Sequence, residues 1–177
     1  MSQHLILGGA RSGKSSFAER LLEQVSVHEQ LKKVYLATAT VGDNEMADRI
    51  QMHKQQRDEK WNLIEEPVEL ASIIENSKKD ECLLIDCLTL WLSNCLYHKC
   101  WDEQKEAFLN ALKNCQTTVV MVSNEVGYGI VPMGELSRRF VDESGWLHQA
   151  LAQQCSHVSV VVAGIENVLK KPNQPLS

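Results

Sequence analysis

The plainest chemistry in this chain lies near its start. Gly8-Gly9-Ala10-Arg11-Ser12-Gly13-Lys14-Ser15 fits the pattern G-x-x-x-x-G-K-[ST] at every fixed position. Glycines so spaced let the backbone curl until successive N–H groups point at the β- and γ-phosphate oxygens of a nucleotide. Lys14 would add a point charge to those oxygens, and Ser15 a hydroxyl ligand for Mg²⁺. The bland alternative is a glycine-rich turn that happens to carry Lys and Ser. The context opposes it, because the apolar run Leu5-Ile6-Leu7 precedes the loop and a helical pattern begins near Lys14.

A phosphate loop needs an acidic group nearby to hold the magnesium ion or its water shell. Asp86 ends the buried-looking run Cys82-Leu83-Leu84-Ile85, where a carboxylate is costly unless it meets a cation or donors. An ordinary helix-capping aspartate is the other reading. Glu125 holds the equivalent place after Val119 to Ser123, and Gly127 and Gly129 follow it. That stretch is either a loop that closes over substrate or a plain turn. Arg49, His53 and Arg57 recur every four residues, so on a helix they share one face. An imidazole between two guanidiniums suits attack on phosphorus, since the arginines neutralise non-bridging oxygens and keep the ring's lone pair free. A solvated basic stripe would have the same spacing, and spacing alone favours it.

These residues must be positioned by a single domain, because 177 residues build about one core. Strands are predicted at His4–Gly8, Lys33–Ala39, Glu81–Asp86, Thr117–Ser123 and His157–Ala163. Helices are predicted at Lys14–Val25, Asn44–Gln56, Val68–Asn76, Leu88–Leu96, Asp102–Asn114 and Gly134–Gln153. Val, Leu and Ile fill both alternating positions of the strands, as in a mainly parallel sheet covered by helices on both faces. In such α/β sheets ligands bind beyond the carboxyl ends of the strands, which is where the loop, Asp86 and Glu125 fall. The formal net charge of -5 argues against nucleic-acid binding, which needs a basic face. No segment approaches the ~20 apolar residues of a membrane span. The six cysteines form no C-x-x-C pair and several sit in apolar runs, as reduced structural thiols of a cytoplasmic protein would. The N-terminus has no basic region followed by a long apolar stretch, so secretion is not expected.

Taken together, several segments resemble the bifunctional adenosylcobinamide kinase/adenosylcobinamide-phosphate guanylyltransferase family of cobalamin biosynthesis. They are the phosphate loop, Tyr35-Leu36-Ala37-Thr38-Ala39, and Glu45-Met46-Ala47-Asp48-Arg49-Ile50 leading to His53. Further on come Asp86-Cys87-Leu88-Thr89-Leu90-Trp91-Leu92, the run Ser123 to Pro132, and Arg138-Arg139-Phe140. The resemblance runs end to end and implies a P-loop NTPase fold of the RecA-like kind. It implies that ATP or GTP phosphorylates the aminopropanol hydroxyl of adenosylcobinamide. GTP then guanylylates His53 with release of pyrophosphate, and GMP passes to adenosylcobinamide phosphate. Lys14 and His53 are the implied catalytic residues. Gly8, Gly9, Ala10, Arg11, Ser12, Gly13, Lys14, Ser15, Ala37, Thr38, Ala39, Lys54, Gln55, Gln56, Arg57, Glu65 and Asp86 are the implied nucleotide contacts. Ser15 and Asp86 are assigned to Mg²⁺, and a homotrimer is the expected state. Asp58, Met52, His148 and Glu166 depart from residues common at their positions in the family. The alternative is a P-loop kinase of another metabolite with no covalent nucleotide. A slow GTP-hydrolysing binding module would need an N-K-x-D motif, and Ser123-Asn124-Glu125-Val126 lacks its lysine and aspartate.

Overall fold

Alternation along the strands sets the architecture. The computed structural model describes residues 2–39 and 61–172. Strands β1 (Gln3–Gly8), β2 (Lys32–Ala37), β3 (Trp61–Glu65), β4 (Glu81–Asp86), β5 (Thr118–Asn124), β6 (His157–Val162) and β7 (Ile165–Lys170) form one sheet. This seven-stranded sheet has the order β3-β2-β4-β5-β1-β6-β7. Every neighbouring pair is parallel except β6 and β7, which are antiparallel. Helices α1 (Lys14–Glu29), α2 (Leu70–Glu75), α3 (Leu88–Tyr97), α4 (Trp101–Asn114) and α5 (Glu135–Gln154) cover its faces.

Side chains two apart share a face of a strand, and the two cores divide on that rule. Leu5, Leu7, Val34, Leu36, Leu83, Ile85, Val119 and Met121 pack with α2 to α5. Ile6, Tyr35, Cys82, Leu84, Val120 and Val122 pack instead with Ala18 and Leu22 of α1. On the first face Trp91 anchors an aromatic cluster, with ring centroids 5.1 Å from Trp101 and 4.8 Å from Phe108. Its indole N–H donates to Val68 O at 2.7 Å, so burial leaves no orphaned donor there. Removing such a ring costs about 3–5 kcal/mol. The mainly parallel sheet clad on both faces is the predicted architecture.

The differences lie at the edges. Strands β3 and β7 were not predicted, and β2 stops at Ala37 rather than Ala39. β3 reads Trp-Asn-Leu-Ile-Glu and β7 reads Ile-Glu-Asn-Val-Leu-Lys, both with polar residues between partly exposed apolar ones. Edge strands need no continuous apolar run, so the pattern that finds central strands passes over them. The β6–β7 turn is Ala163-Gly164, with φ of 52° and 78°, a pair of positive values typical of a two-residue hairpin. Helix α1 also runs to Glu29 rather than Val25. Gln30 caps it in the left-handed conformation, with its N–H on Ser26 O. The predicted helix Asn44–Gln56 lies outside the described residues.

Candidate active site

Because the strands from β3 through β6 run parallel, their carboxyl ends gather at one edge of the sheet, and the phosphate loop leaves β1 there. The loop is held from both sides. Glu125 N–H, just beyond β5, donates to Gly8 O at 3.0 Å, and Gly164 N–H, in the β6–β7 turn, donates to Ser12 O at 2.8 Å. Packing is close enough to exclude side chains. A Cβ at Gly8 would lie 2.5 Å from Ser12 Oγ and 2.7 Å from Val161 O. Gly13 has φ of +91°, and a Cβ there would meet Gly164 Cα at 3.2 Å, so both conformation and space call for glycine. The hairpin turn therefore braces the loop, a role that sequence reasoning missed. The Ala-Gly pair between two Val- and Ile-containing runs was the available signal.

Lys14 folds back over the loop, its ammonium donating to Gly9 O at 3.0 Å. It is almost fully buried. Burial lowers its pKa, and the nearby Asp86 carboxylate works against that shift. A partly desolvated ammonium with one carbonyl partner is well prepared to trade that contact for phosphate oxygens. Ser12 Oγ is buried with no hydrogen-bond partner among the described residues, and it belongs to the same loop. A buried hydroxyl without a partner is costly, and a ligand acceptor at this point would satisfy it.

Asp86, the last residue of β4, accepts a hydrogen bond from Tyr35 Oη at 2.7 Å through Oδ2. It is thus both oriented and in electrostatic contact with Lys14, rather than capping α3, whose N-cap is Cys87. Ser15 stands half-buried in the first turn of α1. A hydroxyl and a carboxylate are hard oxygen donors, the set that suits Mg²⁺ shared with substrate phosphates. Among the described residues no group of three or more His, Cys, Asp or Glu could cage a metal alone.

Of the remaining expected nucleotide contacts, Ala37 and Ala39 are half-buried at the end of β2, and Glu65 is exposed at the end of β3, paired in register with Ala37. Thr38 is fully buried. Its hydroxyl donates to Cys87 O at 2.7 Å and accepts from Cys87 N–H at 2.8 Å. Its own N–H donates to Asp86 O at 3.2 Å, and its carbonyl accepts from Asn94 at 2.9 Å. Thr38 thus ties β2 to the start of α3 and sets the relative heights of Ala37 and Asp86. His53, Arg49, Lys54, Gln55, Gln56 and Arg57 lie outside the described residues.

Across β5 from Asp86, a second polar cluster adjoins the loop. His148 of α5 is buried, its Nε2 2.7 Å from Ser123 Oγ and its Nδ1 4.0 Å from Glu125 Oε2. Burial lowers the His148 pKa, with Glu125 acting in the opposite sense. Glu125 Oε1 accepts from Gly127 N–H at 2.6 Å. Nothing in the sequence joined His148 to residues 25 positions away.

The sequence profile described as "Cobinamide kinase / cobinamide phosphate guanyltransferase" matches residues 4–169. The chain belongs to that family. It is 49% identical over 172 residues to the bifunctional adenosylcobalamin biosynthesis protein CobP of Pseudomonas aeruginosa, covering 94% of this chain and 96% of that protein. It is 36% identical to the corresponding protein CobU of Escherichia coli K12, covering 91% and 96% respectively. Among solved structures, the flagellar accessory protein FlaH of Methanocaldococcus jannaschii superposes with a TM-score of 0.54 over 99% of this chain and 81% of that one. At 11% identity that likeness concerns the fold alone. It agrees with the mainly parallel α/β fold described above.

Proposed function

We propose that this enzyme phosphorylates adenosylcobinamide with ATP or GTP and then converts the product to adenosylcobinamide-GDP. The observation that carries the reading is a braced phosphate loop, with Lys14 and Asp86 beside it, in a chain of this family. In the first reaction the aminopropanol hydroxyl oxygen attacks the γ-phosphorus. The bond to the β,γ-bridging oxygen breaks, and a nucleoside diphosphate leaves. The loop N–H groups and Lys14 neutralise charge on the transferring group as it develops. Ser15 and Asp86 would hold Mg²⁺, which when bound screens the phosphate charges. In the second reaction an imidazole nitrogen of His53 attacks the α-phosphorus of GTP and pyrophosphate leaves. A phosphate oxygen of adenosylcobinamide phosphate then displaces His53, taking the GMP. The family resemblance supports this role, and it gives the otherwise neutral four-residue spacing of Arg49, His53 and Arg57 a chemical reason. Ala37, Ala39, Glu65 and Lys54 to Arg57 complete the nucleotide site, with Thr38 acting through the backbone it ties down.

The corrinoid lies over the segment Val126 to Pro132, where Tyr128 and Ile130 are almost wholly exposed. The homotrimer implied by the family resemblance is supported by exposed Tyr97 and Leu136. They line an apolar groove of about 520 Å³ between α3 and α5 with Leu96 and Phe140. Six free cysteines accord with a reducing, cytoplasmic setting. No described helix is long and apolar enough to cross a membrane.

The test is GTP labelled in the α-phosphate, followed by intact-mass measurement. The wild type is expected to gain one acid-labile, alkali-stable GMP, and His53→Ala none, while kinase turnover with adenosylcobinamide and ATP persists within about tenfold. A wild type that turns over adenosylcobinamide yet never takes up GMP would leave only a kinase. Label on His53→Ala would place the nucleophile elsewhere.

A further inference from the structure

The phosphoryl transfer proposed above needs a group to take the hydroxyl proton, and the described residues offer two carboxylates beside the loop. Asp86 is engaged by Tyr35 Oη and lies in the field of Lys14, as expected of a group committed to the cationic side of the site. Glu125 is placed differently. β5 lies between β4 and β1 in the sheet, so Glu125 emerges between Asp86 and the loop. Its backbone is pinned to the loop through Gly8 O. Its carboxylate is mostly shielded, with side-chain exposure of 19%. One oxygen is taken by Gly127 N–H, while Oε2 has no hydrogen-bond donor among the described residues, His148 being 4.0 Å away. The chain continues directly into the exposed apolar segment assigned above to the corrinoid.

We infer that Glu125 is the proton acceptor for the substrate hydroxyl in the kinase step, and that His148, clamped by Ser123, is the positioning residue that holds its carboxylate beside the loop. The inference rests on the kinase reading of the site. As the oxygen–phosphorus bond forms, the hydroxyl proton passes to Glu125 Oε2, and the electron pair of the broken bond leaves with the nucleoside diphosphate. The proton is then lost to solvent when the product departs, restoring the carboxylate. Guanylylation of His53 requires no such acceptor, since a neutral imidazole nitrogen attacks directly. Glu125 therefore separates the two half-reactions in the sense opposite to His53.

The experiment compares wild type, Glu125→Gln, Glu125→Asp and His148→Asn in the full chain. Four quantities are read: kinase kcat and KM, GMP incorporation from α-labelled GTP, ATP affinity by calorimetry, and thermal midpoint. Glu125→Gln is expected to lower kinase kcat about 10²- to 10⁴-fold, the usual contribution of a general base. Its ATP affinity, GMP incorporation and midpoint should stay near those of wild type. Glu125→Asp should recover part of kcat, and His148→Asn should lower kcat by about tenfold with KM unchanged. Kinase kcat of Glu125→Gln within threefold of wild type would overturn the assignment, as would a parallel loss of GMP incorporation, which indicates a general structural role. A wild type that takes up GMP but phosphorylates no adenosylcobinamide would overturn the kinase reading itself and the inference with it.

Discussion

The phosphate loop and the segment from Val126 to Gly134 begin at the same edge of the sheet, on neighbouring strands, and are built in opposite ways. The loop's carbonyls at Gly8 and Ser12 are tied to elements distant in sequence, Glu125 and Gly164, and a Cβ at Gly8 would strike backbone. The bonds of Val126–Gly134 are local, such as Gly129 N–H to Gly127 O at 3.1 Å and the Arg138 guanidinium to Pro132 O and Met133 O. Its apolar side chains face outward, with Ile130 97% and Met133 95% exposed. Under the proposed function the contrast follows from what each would bind. A triphosphate is small and charged, and is recognised by several N–H groups converging on fixed points, so the backbone must not move. A large ligand or a neighbouring subunit is recognised by apolar area, which has to remain uncovered until the partner arrives.

Three variants sharpen or break this contrast. The largest effect is expected at Lys14, whose ammonium bonds the loop backbone at Gly9 O. Lys14→Ala should slow both half-reactions at least about a thousandfold, which is ~4 kcal/mol at ~1.4 kcal/mol per tenfold. Steady-state rates of each reaction check it, and near-normal turnover in either would mean a second nucleotide site. An intermediate effect is expected at Gly8. Gly8→Ala forces Val161 and the loop apart, so stability should fall by about 1–3 kcal/mol and nucleotide affinity by roughly tenfold. Urea unfolding and calorimetry with ATP decide this. An unchanged denaturation midpoint and affinity would show that the bracing is looser than the geometry implies.

The smallest effect is expected on the other side of the comparison. Ser in place of Tyr128 and Ile130 together should leave stability within about 0.5 kcal/mol, as for exposed positions generally. It should raise KM for adenosylcobinamide by roughly five- to tenfold with kcat for the kinase reaction little changed. If sedimentation shows a change of oligomeric state instead, this segment is a subunit contact rather than a substrate surface.

The amino-acid sequence by itself determined the phosphate loop, the central strands and the family. Each rests on local or periodic information: fixed glycine, lysine and serine spacings, and apolar residues repeating every second position. Asp86 was legible for the same reason, since a carboxylate closing an apolar run needs a partner. The brace at Gly164 and the cluster of Ser123, Glu125 and His148 were decided only by the tertiary structure. Gly164 lies far along the chain from Ser12, and meets it because β6 pairs with β1 and turns back as β7. His148 reaches Ser123 because α5 packs across the sheet face that carries β5. Thr38 adds to this: its place in the Tyr35–Ala39 motif singled it out, and only the tertiary structure shows its hydroxyl bonded to both the carbonyl and the N–H of Cys87. Spacing along a chain reports which groups share a strand or a helix face. Which hydrogen bonds those groups have already made depends on the neighbours that pairing and packing bring to them.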